Sequence, residues 1–245
     1  MDGEWRAPIL TVEHGGNRVP TQYDTLFQGR GALLDSHRGW DPGTLALGHE
    51  LAEALQAPTV TSTVTRLLVD LNRSAGNPAV FSEVTRPLPP EVRRHLITRY
   101  HRPHHEEVRS LIRSTLEAGL PVLHLGIHSF TPVLDGRVRG ADVALLYDPG
   151  RSGEAAFAAR VTRTLGRLLP GWRVRRNYPY RGTADGLVTI LRRQLPQEDY
   201  LGIELEVNQA HLMADGRFPG GLTAALVEAI AGGGLHGGRP DSSVS

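Results

Sequence analysis

The chain has 245 residues, a formal net charge of +1 at pH 7 and 40% hydrophobic residues, which is ordinary for a soluble globular protein. It contains no cysteine and no lysine. Thiol nucleophiles, thiolate metal sites, disulfides, Schiff bases and a P-loop lysine are therefore excluded. The balanced charge gives no reason to expect nucleic acid as a partner. No apolar stretch approaches the ~20 residues of a membrane span, and no signal peptide pattern is present, so we expect a cytoplasmic protein.

Strand-like and helix-like segments alternate along the chain, which predicts an α/β fold with helices flanking a mixed, mostly parallel sheet. Strands are predicted at 8–13, 58–64, 67–71, 122–127, 141–147, 172–176 and 200–207. Helices are predicted at 44–55, at 91–119 with an interruption near Pro103, and at 153–168, 186–195 and 221–230. Because no repeat or linker is evident, we expect a single domain over 1–231 and a flexible C-terminal tail over 232–245.

Two histidines follow apolar runs that read as strands. His14 comes directly after the first predicted strand, and His128 follows the run at 122–127. Ligands in α/β sheets usually bind outside the carboxyl ends of strands. A chain without cysteine must build a metal site from imidazole and carboxylate groups, and two histidines with one carboxylate are a common catalytic zinc set. Either histidine alone is more typical of a structural residue, but as a pair they indicate a site.

The strand predicted at 200–207 carries two acids. Glu204 and Glu206 alternate with apolar residues, so both carboxylates are predicted on one face of this strand. The solvated face of an edge strand would show the same pattern. A glutamate next to a metal-bound water, in contrast, can take the proton of that water and pass it to a leaving amine.

The segment TRLLVDLNRS is rich in groups that recognise anions. Arg66 and Asn72 are six residues apart, which places them on the same side of an extended strand. A guanidinium binds a carboxylate through two parallel hydrogen bonds and also stabilises a developing oxyanion. Arg73 alone would read as a surface arginine in a turn, but the DLNR run as a whole favours recognition of a small acidic substrate.

The segment YHRPHH at 100–105 is a second cluster of histidines. His101 and His105 have the i, i+4 spacing of a metal-binding pair on a helix, but Pro103 between them weakens an intact helix. We therefore expect this segment to lie behind the site or to face the substrate. No serine-hydrolase elbow, dinucleotide-binding or P-loop motif is present.

Five segments, in this order, resemble the N-formylglutamate amidohydrolase family: HGGNRVP (14–20), RLLVDLNRS (66–74), YHRPHH (100–105), LHLGIHSFTP (123–132) and IELEVNQ (203–209). The resemblance extends over about 12–213. This family is related to zinc carboxypeptidases and aspartoacylases. It therefore implies a three-layer α/β/α fold with a mixed, mostly parallel central sheet, of the phosphorylase/hydrolase-like and zinc-carboxypeptidase-like kind.

The resemblance also implies a metal site. His14 and His128 match the two metal-binding histidines. The related carboxypeptidases have a His-x-x-Glu motif at the first histidine, whereas this chain has HGGN, with Asn17 at the position of the acid. The third ligand is therefore open. Asp41, which lies in a D-x-G segment, is preferred to Glu13 and to Asn17.

Catalytic and substrate-binding roles follow from the same resemblance. Glu206 lies in the EVN stretch that matches the family's EIN, which makes it the general base and acid, with Glu204 in reserve. Arg66 is expected to polarise the scissile carbonyl. The residues expected to contact the substrate are Asn72, Arg73, Tyr100, His101 and Ser129. Gln209 stands where the family's EINR has arginine, so one substrate contact differs.

The predicted function is a zinc-dependent amidohydrolase with one ion per chain. Its partner would be a small acidic N-acyl amino acid, with N-formyl-L-glutamate first, cleaved to the free amino acid and formate or another acid, as in histidine degradation. The alternatives are a zinc carboxypeptidase or peptidoglycan-type amidase acting on a larger substrate, and a metal-free carboxylate-binding protein. The sequence leaves the oligomeric state open.

Overall fold

A computed structural model describes residues 6–232, and a six-stranded sheet lies at its centre. Its strands are β1 (Ala7–Val12), β2 (Thr59–Thr61), β3 (Val122–Phe130), β6 (Val143–Leu146), β7 (Val174–Arg176) and β8 (Tyr200–Asn208). A separate hairpin is formed by β4 (Val133–Leu134) and β5 (Arg137–Val138). The strand order in the sheet is β2-β1-β3-β8-β6-β7. The first four strands are parallel, and β6 pairs with β8 in the antiparallel sense. This is the mixed, mostly parallel sheet that the sequence predicts.

Helices cover both faces of the sheet. They are α1 (Gly31–Leu34), α2 (Thr44–Leu55), α3 (Pro90–Leu96), α4 (Arg102–Glu117), α5 (Ser152–Leu168), α6 (Leu187–Arg192) and α7 (Gly220–Ala231). One face packs against α2, α5 and α7, and the other packs against α4 and α6. The predicted three-layer α/β/α class is therefore confirmed. In the part of the chain that the structure describes, no helix is both long and apolar enough to cross a membrane. Of the predicted C-terminal tail, 233–245 lie outside the described residues.

The pleat of β3 separates an apolar face from a polar face. Leu123, Leu125 and Ile127 point into the main core with α2, α5 and α7. The alternate positions, which include His124 and His128, face the side of α4 and α6 and are buried there. His124 is held by neutral partners, since Thr11 Oγ1 lies 2.9 Å and Tyr200 Oη 2.7 Å from its ring nitrogens. One face of the sheet thus packs on the main core, and the other combines a smaller apolar core with buried polar groups.

The strand predicted at 67–71 is wrong. Arg66–Leu68 form a turn in which the Leu68 N–H donates to the Thr65 carbonyl at 3.0 Å. The apolar side chains of this segment do not pair in a sheet. They fill a second small core beneath the loops, and its members are Tyr23, Phe27, Val64, Leu67, Leu68, Val69, Leu71, Val80, Val84 and Leu96. The β-branched and leucine-rich pattern reflects burial in this core, not strand pairing.

The helical region predicted with an interruption near Pro103 runs from Pro90 to Glu117, and its regular α-helix is interrupted between Leu96 and Arg102. A π-helical turn at Ile97–His101 lies directly before α4, and the Arg102 N–H donates to the Ile97 carbonyl. A wider turn gives the proline ring room where the regular i, i−4 ladder would clash with it. His101 and His105 consequently stack face to face, with ring centroids 4.0 Å apart.

The third strand is longer than predicted. It continues past 127 to Phe130, so His128 lies within β3 and not after it. The extension is supported by β8, whose register pairs His128 with Glu206 and Phe130 with Asn208. Because the two strands are neighbours, this pairing brings a candidate metal ligand next to a candidate proton carrier.

Candidate metal centre

His14, Asp41 and His128 meet at one edge of the sheet. One ligand atom from each lies within 4.8 Å of the others, and all three residues are buried. His128 Nδ1 is 3.0 Å and His14 Nδ1 3.4 Å from Asp41 Oδ2. The Asp41 N–H donates to the His14 carbonyl at 2.9 Å. Gly43, with φ of 82°, turns the chain two residues after Asp41, and a Cβ there would meet Leu212 at 2.5 Å.

Both histidines have a carboxylate behind them. His14 Nε2 lies 2.7 Å from Asp70 Oδ1, and His128 Nε2 lies 3.4 Å from Glu13 Oε2. A histidine whose outer N–H donates to a carboxylate presents the lone pair of its other nitrogen to a metal. In both residues Nδ1 faces Asp41. For His14 the hydrogen bond to Asp70 favours a free Nδ1, whereas His128 Nε2 makes no hydrogen bond to Glu13 and also lies 3.3 Å from Asn72 Nδ2. The arrangement therefore orients two imidazoles toward one point.

The donor set fits a zinc ion. Two imidazole nitrogens and one carboxylate oxygen are a typical catalytic set that leaves a position for water. Glu206 Oε2, on the neighbouring strand, is buried and has no hydrogen-bond partner among the described residues. A buried carboxylate oxygen without a partner is costly unless a ligand or water satisfies it.

The charges at the centre favour a cation. Burial opposes ionisation of Asp41, but the charge of His14 and the hydrogen bond with His128 hold the pKa of Asp41 well below its usual range. Burial also opposes a charged His128, yet the hydrogen bond to Asp41 and the charge of Glu13 raise the pKa of His128 to about 10. A metal ion must displace this proton, so metal binding releases protons.

Glu206 is the buried acid beside the centre. It is 5% exposed, and burial raises its pKa to about 8, with Asp41 and Glu204 adding to the effect and His128 opposing it. Glu204 points to the same face two residues earlier, but its Oε1 accepts a hydrogen bond from Asn72 Nδ2 at 2.9 Å. Glu206 thus has a carboxylate oxygen without a hydrogen-bond partner among the described residues, whereas the carboxylate of Glu204 is bonded to Asn72.

The loop that carries Arg66, Asn72 and Arg73 lies over the same edge. Arg66 spans two carboxylates, with Nη1 3.3 Å from Asp41 Oδ1 and Nη2 2.8 Å from Asp70 Oδ2. Asn72 uses both ends of its amide, because its Oδ1 accepts from the Leu187 N–H at 2.7 Å. Arg73 Nη1 donates to the carbonyls of Asn72 and Asp185. These contacts hold the loop in place without a strand.

A polar cavity of about 400 Å³ opens over the centre. It is lined by all three candidate metal ligands, by both glutamates of β8 and by Ser129. Its walls carry six arginines and six carboxylates: Arg38, Arg66, Arg73, Arg86, Arg139, Arg181, Asp41, Asp70, Glu83, Asp185, Glu204 and Glu206. The volume is at the lower end of the range for small-molecule sites.

Other residues named from the sequence lie apart from this cavity. Tyr100, expected to contact the substrate, accepts a hydrogen bond from Gln22 and does not line the cavity. His101, also expected there, lies behind the loop, with its Nε2 2.8 Å from the Arg73 carbonyl. Asn17, an alternative for the third metal ligand, donates to Asp35 Oδ1 at 2.9 Å and does not line the cavity. The helical turn that carries Tyr100 and His101 supports the loop from below and does not reach its cavity side.

The sequence did not indicate that Asp70 and Glu13 would lie against the two histidines of the candidate metal centre. Asp70 bonds both His14 and Arg66, and Glu13 lies between His128 and His104, 3.8 Å from the latter's Nε2. Arg66 and Asp70 are four residues apart, a spacing that pairs side chains on one turn. Because the segment was predicted as a strand, whose side chains alternate with a period of two, the pairing of Arg66 with Asp70 was not predicted.

The fold and the site together define an α/β protein with a candidate metal centre at the edge of its sheet. Residues 7–213 match the model of the N-formylglutamate amidohydrolase family, so the chain belongs to this family. The family predicted from the five motifs is thus confirmed, and membership supports a hydrolase that acts on amide bonds.

Two solved structures are similar to this chain. A gene product of Agrobacterium tumefaciens is 27% identical with a TM-score of 0.76, over 93% of this chain and 90% of that one. An N-formylglutamate amidohydrolase from Ralstonia eutropha JMP134 is 21% identical with a TM-score of 0.66, over 93% of this chain and 92% of that one. No curated protein matches the chain. At 21% identity, the similarity to the Ralstonia eutropha structure shows that the two proteins share a fold.

Proposed function

We propose that this protein is a zinc-dependent amidohydrolase that cleaves N-formyl-L-glutamate or a similar N-acyl amino acid to the free amino acid and formate or the corresponding acid. The observation that carries the proposal is the buried His14–Asp41–His128 set, which opens to a polar cavity beside an unpartnered Glu206. Membership of the family supports the choice of amide bond. A place in histidine degradation follows from the substrate and is part of the proposal.

His14, Asp41 and His128 would hold the zinc ion, with Asp70 and Glu13 orienting the two imidazoles. When bound, zinc lowers the pKa of a water molecule to about neutral and polarises the scissile carbonyl. The hydrogen bond between His14 Nε2 and Asp70 favours the tautomer whose Nδ1 is free to bind, whereas His128 would release a proton when zinc binds.

Glu206 takes the proton from the attacking water and delivers it to the leaving nitrogen. A general base works best when its pKa is near the operating pH, and burial has moved Glu206 in that direction. The bond from Asn72 to Glu204 keeps the second glutamate out of this role.

Arg66 and Arg73 supply the positive charge on the substrate side. Arg66 lines the cavity, keeps 22% of its side chain exposed and is held against Asp41, which suits it to stabilise the oxygen of the scissile carbonyl. Arg73 also lines the cavity, and two backbone carbonyls fix its guanidinium. We assign it a carboxylate of the substrate, and we assign Asn72 the support of this loop.

The test combines metal analysis with product analysis. The protein, purified without added zinc, is assayed for bound metal and for release of formate and glutamate from N-formyl-L-glutamate. We expect one ion per chain and stoichiometric products, both lost in His128→Ala while the far-UV circular dichroism spectrum stays unchanged. Cleavage of short peptides or muropeptides in place of N-formyl amino acids would point to a carboxypeptidase or a peptidoglycan-type amidase. Carboxylate binding without metal or turnover would show a binding protein.

A further inference from the structure

Arg139 lies directly after the hairpin of β4 and β5 and lines the cavity over the candidate metal centre. It is 8% exposed. Its Nη1 is buried and has no hydrogen-bond partner among the described residues. An unpaired buried guanidinium nitrogen carries a desolvation cost that a ligand with acceptor oxygens would remove.

Most arginines of the cavity wall already have oxygen partners. Arg66 bonds Asp41 and Asp70, Arg38 bonds Glu83, and Arg73 and Arg86 donate to backbone carbonyls. Arg181 is exposed, so water can solvate it. Arg139 differs because it is both buried and, within the described part of the chain, without an oxygen acceptor for its side chain.

Two aromatic rings hold the guanidinium of Arg139. Its Cζ lies 5.8 Å from the ring centroid of Phe130 and 5.1 Å from that of Tyr180. These contacts attract the positive charge but supply no oxygen acceptor for its N–H groups. A carboxylate would supply such acceptors through two parallel hydrogen bonds. The rings therefore hold the cation in place and leave its need for oxygen acceptors unmet.

We propose that Arg139 binds the side-chain carboxylate of the substrate and so selects N-acyl derivatives of acidic amino acids. This inference rests on the proposed function, in which Arg73 holds the other carboxylate. The two arginines line the same cavity, and a dicarboxylic substrate would supply one carboxylate to each.

The test compares N-formyl-L-glutamate with N-formyl-L-glutamine, which has the same shape but a neutral side chain. Zinc-loaded Glu206→Gln, with and without Arg139→Gln, is titrated with each compound by calorimetry. We expect Arg139→Gln to weaken binding of N-formyl-L-glutamate by about 30-fold or more, the usual scale for one partner of a desolvated charge pair, and that of N-formyl-L-glutamine by less than about 3-fold. In otherwise unmodified protein the loss should fall on KM more than on kcat.

Two further variants keep the result interpretable. Arg38→Gln removes a positive charge from the same wall, but Arg38 is half-exposed and paired with Glu83, so both compounds should bind as before. Arg139→Lys keeps the positive charge but lacks the planar guanidinium, so we expect it to weaken binding of N-formyl-L-glutamate by about 10-fold. This variant tests the inference if Arg139→Gln does not fold.

The outcomes separate this inference from the proposed function. Equal losses for both compounds, or no loss for either, would show that Arg139 acts only in the structure and would overturn the inference. No binding of N-formyl-L-glutamate to the parent protein would overturn it as well. Charge-selective binding that depends on Arg139, in a protein that hydrolyses neither compound, would support the inference and overturn the proposed function.

Discussion

Replacing Asp70 by asparagine should weaken zinc binding without touching a zinc ligand. Asp70 Oδ1 lies 2.7 Å from His14 Nε2 and accepts from the Asn72 N–H at 2.9 Å, while Oδ2 accepts from Arg66 at 2.8 Å. Asparagine has one acceptor oxygen and one donor amide. If the side-chain oxygen of the asparagine faces His14, its NH2 group faces the Arg66 guanidinium. If the oxygen faces Arg66 instead, the NH2 group faces His14.

Both orientations of the asparagine amide should weaken zinc binding. In the first, Arg66 loses a charged acceptor, and in the second the proton of His14 moves to Nδ1, where it occupies the lone pair that should bind zinc. Loss of such a supporting carboxylate typically lowers metal affinity 10- to 100-fold, or about 1.4 to 2.7 kcal/mol. The proteins would be titrated with zinc against a chromophoric chelator, and kcat/KM would be measured at saturating zinc.

Asp142→Asn is the matched control. Asp142 also accepts from an arginine and lies near a histidine, with Arg173 Nε at 3.0 Å and His211 Nε2 at 2.9 Å, but it does not line the cavity. We expect this variant to bind zinc like the unmodified protein. Unchanged zinc affinity in Asp70→Asn would refute the role given to Asp70, and equal losses in both variants would mean that the effect is global.

Three further predictions address the buried acids. Glu206→Gln should retain zinc and lower kcat at least ~100-fold, measured by formate release, and full activity would reassign the proton transfer to Glu204. Because the pKa of Glu206 is raised to about 8, the folded metal-free protein keeps a proton that the unfolded chain loses above its normal pKa. Between pH 5 and 8 the unfolding free energy of the unmodified protein should therefore fall with pH more steeply than that of Glu206→Gln, by about 1.4 kcal/mol per pH unit in urea titrations, whatever the other titrating groups contribute to both. Glu154→Ala leaves the buried Arg192 without its carboxylate partner at 3.0 Å and should cost about 3–5 kcal/mol of stability; a loss below about 1 kcal/mol in the same titrations would contradict this.

The regular elements were predictable because their periodicity is local. The helix predicted at Thr44–Leu55 has those bounds in the structure, and the predicted strands of the sheet differ mainly at their ends. The segment 67–71 failed because its apolar residues serve a core that only the folded loops create. Periodicity reports that a side chain is buried, but it does not report what buries it.

The candidate site was predictable only in part, for a related reason. His14 and His128 could be found because each stands beside an apolar strand, and Asp41 through its resemblance to a family motif. The contacts of Asp70, Glu13 and Arg139 involve partners that are distant in sequence; His14 and Asp70, for example, are 56 residues apart. In the sequence, Arg139 is one arginine among many in a glycine-containing turn. Its burial against Phe130 and Tyr180 requires the folded structure.

The candidate metal centre and the cavity above it differ in how their charges are paired. At the metal centre, the buried acids Glu13, Asp41, Asp70 and Glu206 outnumber the one arginine that bonds to any of them, Arg66, and the raised pKa of His128 reflects this excess. A divalent cation bound there would replace the proton on His128 and balance the acids. Arg139 lines the same cavity and has no carboxylate partner among the described residues. Under the proposed function, a dicarboxylate substrate would give Arg139 that partner while its amide group approached the metal centre.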